Sequence, residues 1–249
     1  MRFWDDIKPL LVDGCILDVR MGLNWTAVVV KVEGEVRCGL ASTLKGDHKH
    51  TGEATIPGAG GLIGGSALAA AAMIQSQIPP RVSLGMAVIN ALLERQPETW
   101  TDQNVEKVLV SLGKDRPVAL VGHFPFVPRL RRVIDRFEVI DRYPLMGDHP
   151  ESAAPDILPK AGVVAITGMT MLNGTFDSLM SLCSPEATVL LLGPSTPLSP
   201  VMFDYGVDIL AGSIVTNIEA VLRAVSQGAN FRQMKAAGVR LVTVARPGF

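Results

Sequence analysis

Four times in its second half the chain runs through a short apolar stretch, reaches a glycine and turns polar. Val118–Val121 leads into Gly122-His123, and Val163–Thr167 into Gly168-Met169-Thr170. Residues 189–192 lead into Gly193-Pro194-Ser195, and residues 207–211 into Gly212-Ser213. Val/Leu/Ile/Ala runs without polar alternation are what strands buried on both faces look like. Amphipathic segments lie between most of them, so the pattern is that of a parallel sheet with helical crossovers. In such sheets ligands bind beyond the carboxyl ends of the strands, where these glycines and polar residues fall. The functional search therefore centres on His123, residues 170–175, residues 194–197 and Ser213.

Bulk properties narrow the classes. The 249 residues suffice for one large domain or two modest ones. A net charge of -1 with 19% charged residues gives no basic footprint, so no nucleic-acid partner is expected. The hydrophobic fraction of 48% points to a large core or to the buried interface of a homo-oligomer. Residues 54–80 are uncharged but broken by proline and glycine, and their apolar part is too short to span a bilayer, so no membrane partner is expected. No basic stretch followed by an apolar one opens the sequence. The cysteines Cys15, Cys38 and Cys183 are odd in number and far apart, which fits a reduced, cytoplasmic setting.

The first half reads differently. Cys15–Met21, Trp25–Val32 and Glu35–Ser42 are strand-like, the last two joined by Glu33-Gly34 as a two-residue hairpin turn. Cys38 falls on the apolar face of its strand, a packing position. A polar, glycine-rich loop over residues 43–65 precedes three helices expected near 66–77, 83–95 and 104–112. The polar stretch 113–117 is the expected boundary between a domain of residues 1–113 and one of residues 114–249. Beyond it the reading places a helix near 129–137, strands at 138–141 and 163–167, and a helix from about Thr175. Strands near Val189, Val207 and Leu241 follow, with helices at 218–227 and 231–236.

Thr167 to Thr175 runs from a buried strand's end into a helix, with Thr170, Asn173, Gly174 and Thr175 able to hold an anion; a helix cap and an Asn-Gly turn would use the same residues. Pro194, Ser195 and Thr196 form a rigid loop whose prolines fix two hydroxyls. His123 is the candidate general acid/base, or else a polar turn residue. Asp141 falls 19 residues after Gly122, near the spacing of a ribose-binding acid, but the glycines of a dinucleotide loop are missing. His48 and His50 in a polar loop are candidate metal ligands, with little to preorganise them. Asn90 lies in a helix apolar almost all round, so its amide must brace a loop or face a cleft.

At residues 165–175, 192–198 and 205–213 the chain resembles a family of putative heavy-metal chelation proteins. Residues 83–91 resemble that family's amino-terminal domain. The resemblance implies an α/β protein: a small α+β, enolase N-terminal-like domain of three strands and three helices, then a Rossmann-like domain with a mostly parallel sheet. It further implies a site between the domains, and roles in condensation or hydrolysis steps that make flavin, pterin or siderophore-like chelators. One departure is Gly162, where the family pattern leads us to expect an acid. The leading expectation is a small-molecule-binding protein, read as an enzyme, whose interdomain cleft takes a polar or anionic metabolite. Thr170, Asn173, Thr175, Ser195 and Thr196 would hold the ligand, with Asn90 contributing from the other domain. Two alternatives stay open. One is a non-enzymatic carrier of a transition metal or metal chelate through His48, His50 and His123; the other is an S-adenosylmethionine- or nucleotide-dependent enzyme with Asp141 on a ribose.

Overall fold

The computed structural model describes residues 3–46 and 54–249. Expectations for His48 and His50 lie outside the described residues.

Strands β1 (Cys15–Met21), β2 (Trp25–Val32) and β3 (Glu35–Ser42) form an antiparallel sheet in that order. The β2–β3 turn places Glu33 and Gly34 at φ 50° and 87°, the positive values a right-twisted two-residue hairpin requires. In β2, residues 26–30 are all buried, because the sheet is covered on both faces. Val28, Val30 and Val32 face the core shared with α3 (Pro79–Leu92), whereas Ala27, Val29, Cys38 and Leu40 face the opposite way. There they meet Val221, Val225 and Met234, which belong to the later part of the chain. Helix α3 lies directly on β3. A methyl group at Gly39 would overlap the Ala87 carbonyl oxygen, so only glycine permits this approach.

Two helices precede α3. A short α1 (Phe3–Ile7), not anticipated from the sequence, buries Phe3 and Ile7 on one side, an i,i+4 pair. Helix α2 (Ala67–Ala71) is capped by Ser66, whose hydroxyl accepts the Ala69 N–H at 3.0 Å.

The third expected helix, α4 (Val105–Leu112), forms where anticipated and is capped by Asn104. Its packing is the surprise. Val108 and Leu109 pack with Val118, Leu120, Val127 and Leu130, so α4 covers the larger sheet and not the smaller one. The stretch before it is tied the same way, by a Thr101–Thr243 bridge and an Asp102–Arg240 ion pair at 2.6 Å.

The larger sheet holds β4 (Val118–Val121), β5 (Phe137–Asp141), β6 (His149–Pro150), β7 (Val163–Thr167), β8 (Thr188–Leu192), β9 (Ile209–Val215) and β10 (Val239–Ala245). The order is β10-β9-β8-β7-β4-β5-β6, and every neighbouring pair is parallel but β10–β9. The chain winds outward from β4 through β5 and β6, then returns to β7 on β4's other side. The β4–β7 gap is thus the topological switch point, where α/β sheets place ligands.

The connecting helices are shorter than the sequence implied. The helix expected over 129–137 is α5 (Val127–Leu130) followed by turns, because Arg136 already pairs with Val118 as β5 begins. Residues 154–157 form α6 (Ala154–Ile157). A helix was expected from Thr175; there are two, α7 (Met169–Asn173) and α8 (Phe176–Met180). Gly174, at φ 76°, separates them. Then come α9 (Val201–Asp204), α10 (Ile218–Ser226), capped by Asn217, and α11 (Phe231–Ala236), which opens with an Asn230/Gln233 capping box.

Candidate functional site

The smaller sheet and α3 sit over the carboxyl ends of β8 and β9, and a crevice runs between α3 and these strand ends. Asn90 enters it from the end of α3, Thr196 from the loop after β8, and Ser213 from β9 beyond its pairing with β8. Cys38, Glu94, Arg95 and Trp100 also line it, so one carboxylate and one guanidinium face the crevice. Three residues singled out in the sequence, 106 and 17 positions apart, therefore converge.

Among the described residues their hydrogen bonds are incomplete. The Asn90 amide donates to the Leu40 carbonyl at 2.9 Å, yet its Oδ1 is buried with no partner. Thr196 is 2% exposed and its Oγ1 also lacks a partner. Its position is fixed by its own N–H, which donates to Gly193 at 2.9 Å, and by close packing against Gly168. Ser213 Oγ reaches the Pro194 carbonyl only at 3.4 Å. Buried oxygens without partners are rare, because each costs about 1–3 kcal/mol. The free volume of the crevice is ≈ 20 Å³, roughly the room of one water.

Arg95 stands at the crevice with no hydrogen bond or ion pair among the described residues. Desolvation, and then neighbouring Arg37, push its guanidinium below the usual arginine range. Arg37 itself pairs with Glu35 at 2.8 Å. Burial pushes the Cys38 thiol up to about 12, so it stays protonated and acts as packing.

Ser195 is buried but occupied. Its Oγ accepts the Ser42 N–H at 2.9 Å and donates to Ser42 Oγ at 3.2 Å, clasping β3 to the β8 loop. Thr170, 2% exposed, donates to the Thr167 carbonyl at 2.7 Å. Asn173 Oδ1 accepts both the N–H and the hydroxyl of Thr175, at 3.1 and 2.7 Å. These three residues shape their own loop around Gly174 and do not line the crevice.

His123 lies elsewhere on the strand-end surface, two residues beyond the Val121–Ile166 pair of β4 and β7. Its Nδ1 is 2.8 Å from Asp148 Oδ2, and Arg131 contacts Asp148 Oδ1 at 2.6 Å. Asp141 accepts the backbone N–H of His123 at 2.8 Å and that of Tyr143 at 2.7 Å. Both its oxygens are thus engaged in holding the β4 and β5 loops. Gly162 precedes β7 and packs against the Arg116 side chain at the opposite, amino end of the sheet. Whatever an acid would do there, it would do away from the strand-end loops.

Sequence reasoning missed Asp148, Arg131, Arg95 and Trp100. Asp148 sits in a proline-punctuated excursion without periodicity, and no local signal marks it.

Among the described residues no three His, Cys, Asp or Glu side chains converge in a way that could hold a metal ion. Burial also pushes the Cys183 thiol up, to about 11, which disfavours the thiolate a soft metal needs. The described donors therefore do not fit a resident metal. Among the same residues no helix is long and apolar enough to cross a membrane.

Two family models, both described as "Putative heavy-metal chelation", match residues 5–93 and 104–243. An uncharacterized protein of Methanocaldococcus jannaschii is 22% identical over 214 residues, covering 83% of this chain and 81% of the relative. A crystal structure from Desulfitobacterium hafniense DCB-2, a family protein with unknown function, superposes with a TM-score of 0.81 at 23% identity. Another from Pyrococcus horikoshii gives 0.81 at 21% identity, and each covers 98% of both chains. At these identities the superpositions speak for the fold alone.

Proposed function

The chain belongs to the "Putative heavy-metal chelation" family, and from that premise we propose that it binds a small polar or anionic metabolite, metal chelates included, in the crevice between its two units. One observation carries the reading: Asn90 Oδ1 and Thr196 Oγ1 belong to residues lining one crevice, and both are buried without partners among the described residues. A ligand bearing hydroxyl or amide donors satisfies both; the crevice at rest has room for roughly one water, so the reading requires it to open as the ligand enters. Arg95, unpaired at the crevice, supplies attraction for a carboxylate or a chelate's anionic oxygens. A chelate brings its own ligands to the metal, so this reading needs no protein donor set. It accommodates the absence, among the described residues, of a three-donor cluster.

Trp100 lines the crevice and reports its occupancy. Titrating the protein with citrate, alone and with nickel(II), should give a saturable change in tryptophan fluorescence. Trp100→Phe should remove the signal, and the Asn90→Ala/Thr196→Val double variant should remove the binding. No saturable change at millimolar ligand, or binding undiminished in the double variant, contradicts a polyanionic-chelate site here.

A further inference from the structure

The carboxylate of Asp148 is fully buried, at 0% side-chain exposure, in a loop otherwise open to solvent. Three donors surround it: His123 Nδ1 at 2.8 Å, Arg131 at 2.6 Å and the Leu145 N–H at 3.0 Å. Burial alone would push this carboxyl up. The Leu145 N–H, His123 and Arg131 outweigh that and hold it below the usual carboxylate range, so it is ionised at neutral pH.

An ionised carboxylate can only accept. Nδ1 of His123 must therefore carry the proton, and in the neutral ring Nε2 keeps its lone pair. The ring is fixed from both ends, by Asp148 at Nδ1 and by Asp141 through the His123 backbone N–H. Its side chain is 23% exposed, and Nε2 has no partner among the described residues. Asparagine could pin a loop equally well; a buried carboxylate adds polarisation of the ring. The other described histidine differs. His149 turns Nε2 itself onto Glu138 at 2.7 Å, in a pair exposed at 43% and 52%.

The position also matters. His123 follows β4 at the switch point beside β7. The next residue, Phe124, stacks on Phe126 at 5.1 Å and 9°, a half-buried aromatic pair whose inner side packs on the core of the larger sheet. That ring reaches Gly122 and Gly193, at the ends of β4 and β8. Met169, 39% exposed, begins α7 just after β7.

We propose that His123 and Asp148 form an acid–base dyad at the carboxyl ends of β4 and β7, apart from the crevice, serving a small ligand with an apolar body and a reactive oxygen. His123 Nε2 is the catalytic group. Asp148 is a positioning residue, and Arg131 positions Asp148 in turn. For an ester and water the step balances without another reactant. Nε2 takes a proton from water as the water oxygen bonds to the acyl carbon. It returns that proton to the leaving oxygen as the ester C–O bond breaks.

The test uses p-nitrophenyl acetate, an activated ester with an aromatic body, on the full chain. Rates of p-nitrophenol release are measured for wild type, His123→Gln, Asp148→Asn and His149→Gln. The dyad predicts that His123→Gln removes most of the protein-dependent rate and that Asp148→Asn lowers it ~10-fold or more. His149→Gln should leave it unchanged, and circular dichroism shows whether each variant is folded. Peptide mapping after brief diethyl pyrocarbonate treatment supplies an independent reading if Asp148→Asn loosens the loop: the free Nε2 of wild-type His123 should be carbethoxylated ahead of His149, whose Nε2 is bonded to Glu138. Equal reaction at the two histidines, or a rate indifferent to Asp148→Asn in a folded protein, overturns the proposal. His123 would then be a pin for the 145–148 loop.

Discussion

Thr196→Val is the sharpest perturbation of the crevice, because it changes one buried atom and little else. Valine replaces Oγ1 by a methyl group of nearly the same shape. Thr196 is 2% exposed and its hydroxyl has no partner among the described residues. An unsatisfied buried hydroxyl costs about 1–3 kcal/mol, and an apolar replacement recovers that cost. The crevice has room for roughly one water, which would partly satisfy the hydroxyl and place the gain at the low end. We therefore expect Thr196→Val to stabilise the ligand-free protein by about 1 kcal/mol, a rise in Tm of roughly 2–4 °C for a chain of this size. Urea unfolding at constant m measures it directly. The same variant should bind ligand more weakly, so stability and binding move in opposite directions. A loss of about 1 kcal/mol or more on Thr196→Val would refute the reasoning. The hydroxyl would then be bonded in the resting protein and not held in reserve for a ligand.

Other expectations follow from the same geometry. Gly39→Ala drives a methyl group into the α3 backbone at Ala87 and should destabilise by about 3 kcal/mol or more, seen as a large drop in Tm. In the native protein at pH 8, a thiol-specific chromogenic reagent should react with exposed Cys15, while Cys38 and Cys183, pushed up to about 12 and about 11, should stay silent until the chain is unfolded. Asp148 is held below its ordinary value of 3.8, so its stabilising effect is complete above that pH and fades as pH falls from there through its native value. The stability difference between wild type and Asp148→Asn should accordingly shrink as pH falls from about 5 to below about 4 in urea titrations; a difference independent of pH across that range would contradict it.

Much of the fold could be read from the residues because its signals are local. Strands β1, β2 and β3 begin and end where expected, since Glu33-Gly34 dictates the hairpin and the flanking polar residues close the runs. Helix α11 is bounded by its capping box in the same way. What escaped was set by distance. The amphipathic pattern of α4 announces a helix but not which sheet will cover its apolar side, and Val108 and Leu109 go to the larger one. The break between α7 and α8 was visible as Asn173-Gly174, but the turn of helix before it was not.

The site divides along the same line. Polar residues after a strand either satisfy their own loop or remain available, and spacing alone does not distinguish the two. Thr170, Asn173 and Thr175 bond to neighbours within a few positions. Thr196 and Asn90, from opposite sides of the crevice, keep oxygens unpaired among the described residues where the two sheets meet. His123 was legible as a polar residue at a strand end, whereas its partner Asp148 lies 25 positions on and is brought back by the β5–β6 excursion.

Native mass spectrometry of the desalted, as-purified protein, compared with the Asn90→Ala/Thr196→Val double variant, tests the central claim most directly. The account predicts a non-covalent organic or metal-chelate adduct on the wild type, absent from the denatured sample and lost or reduced in the double variant. An adduct retained unchanged by that variant would place the ligand outside the crevice. A bare wild-type mass that also stays bare after incubation with citrate and nickel(II) would contradict a chelate-binding crevice.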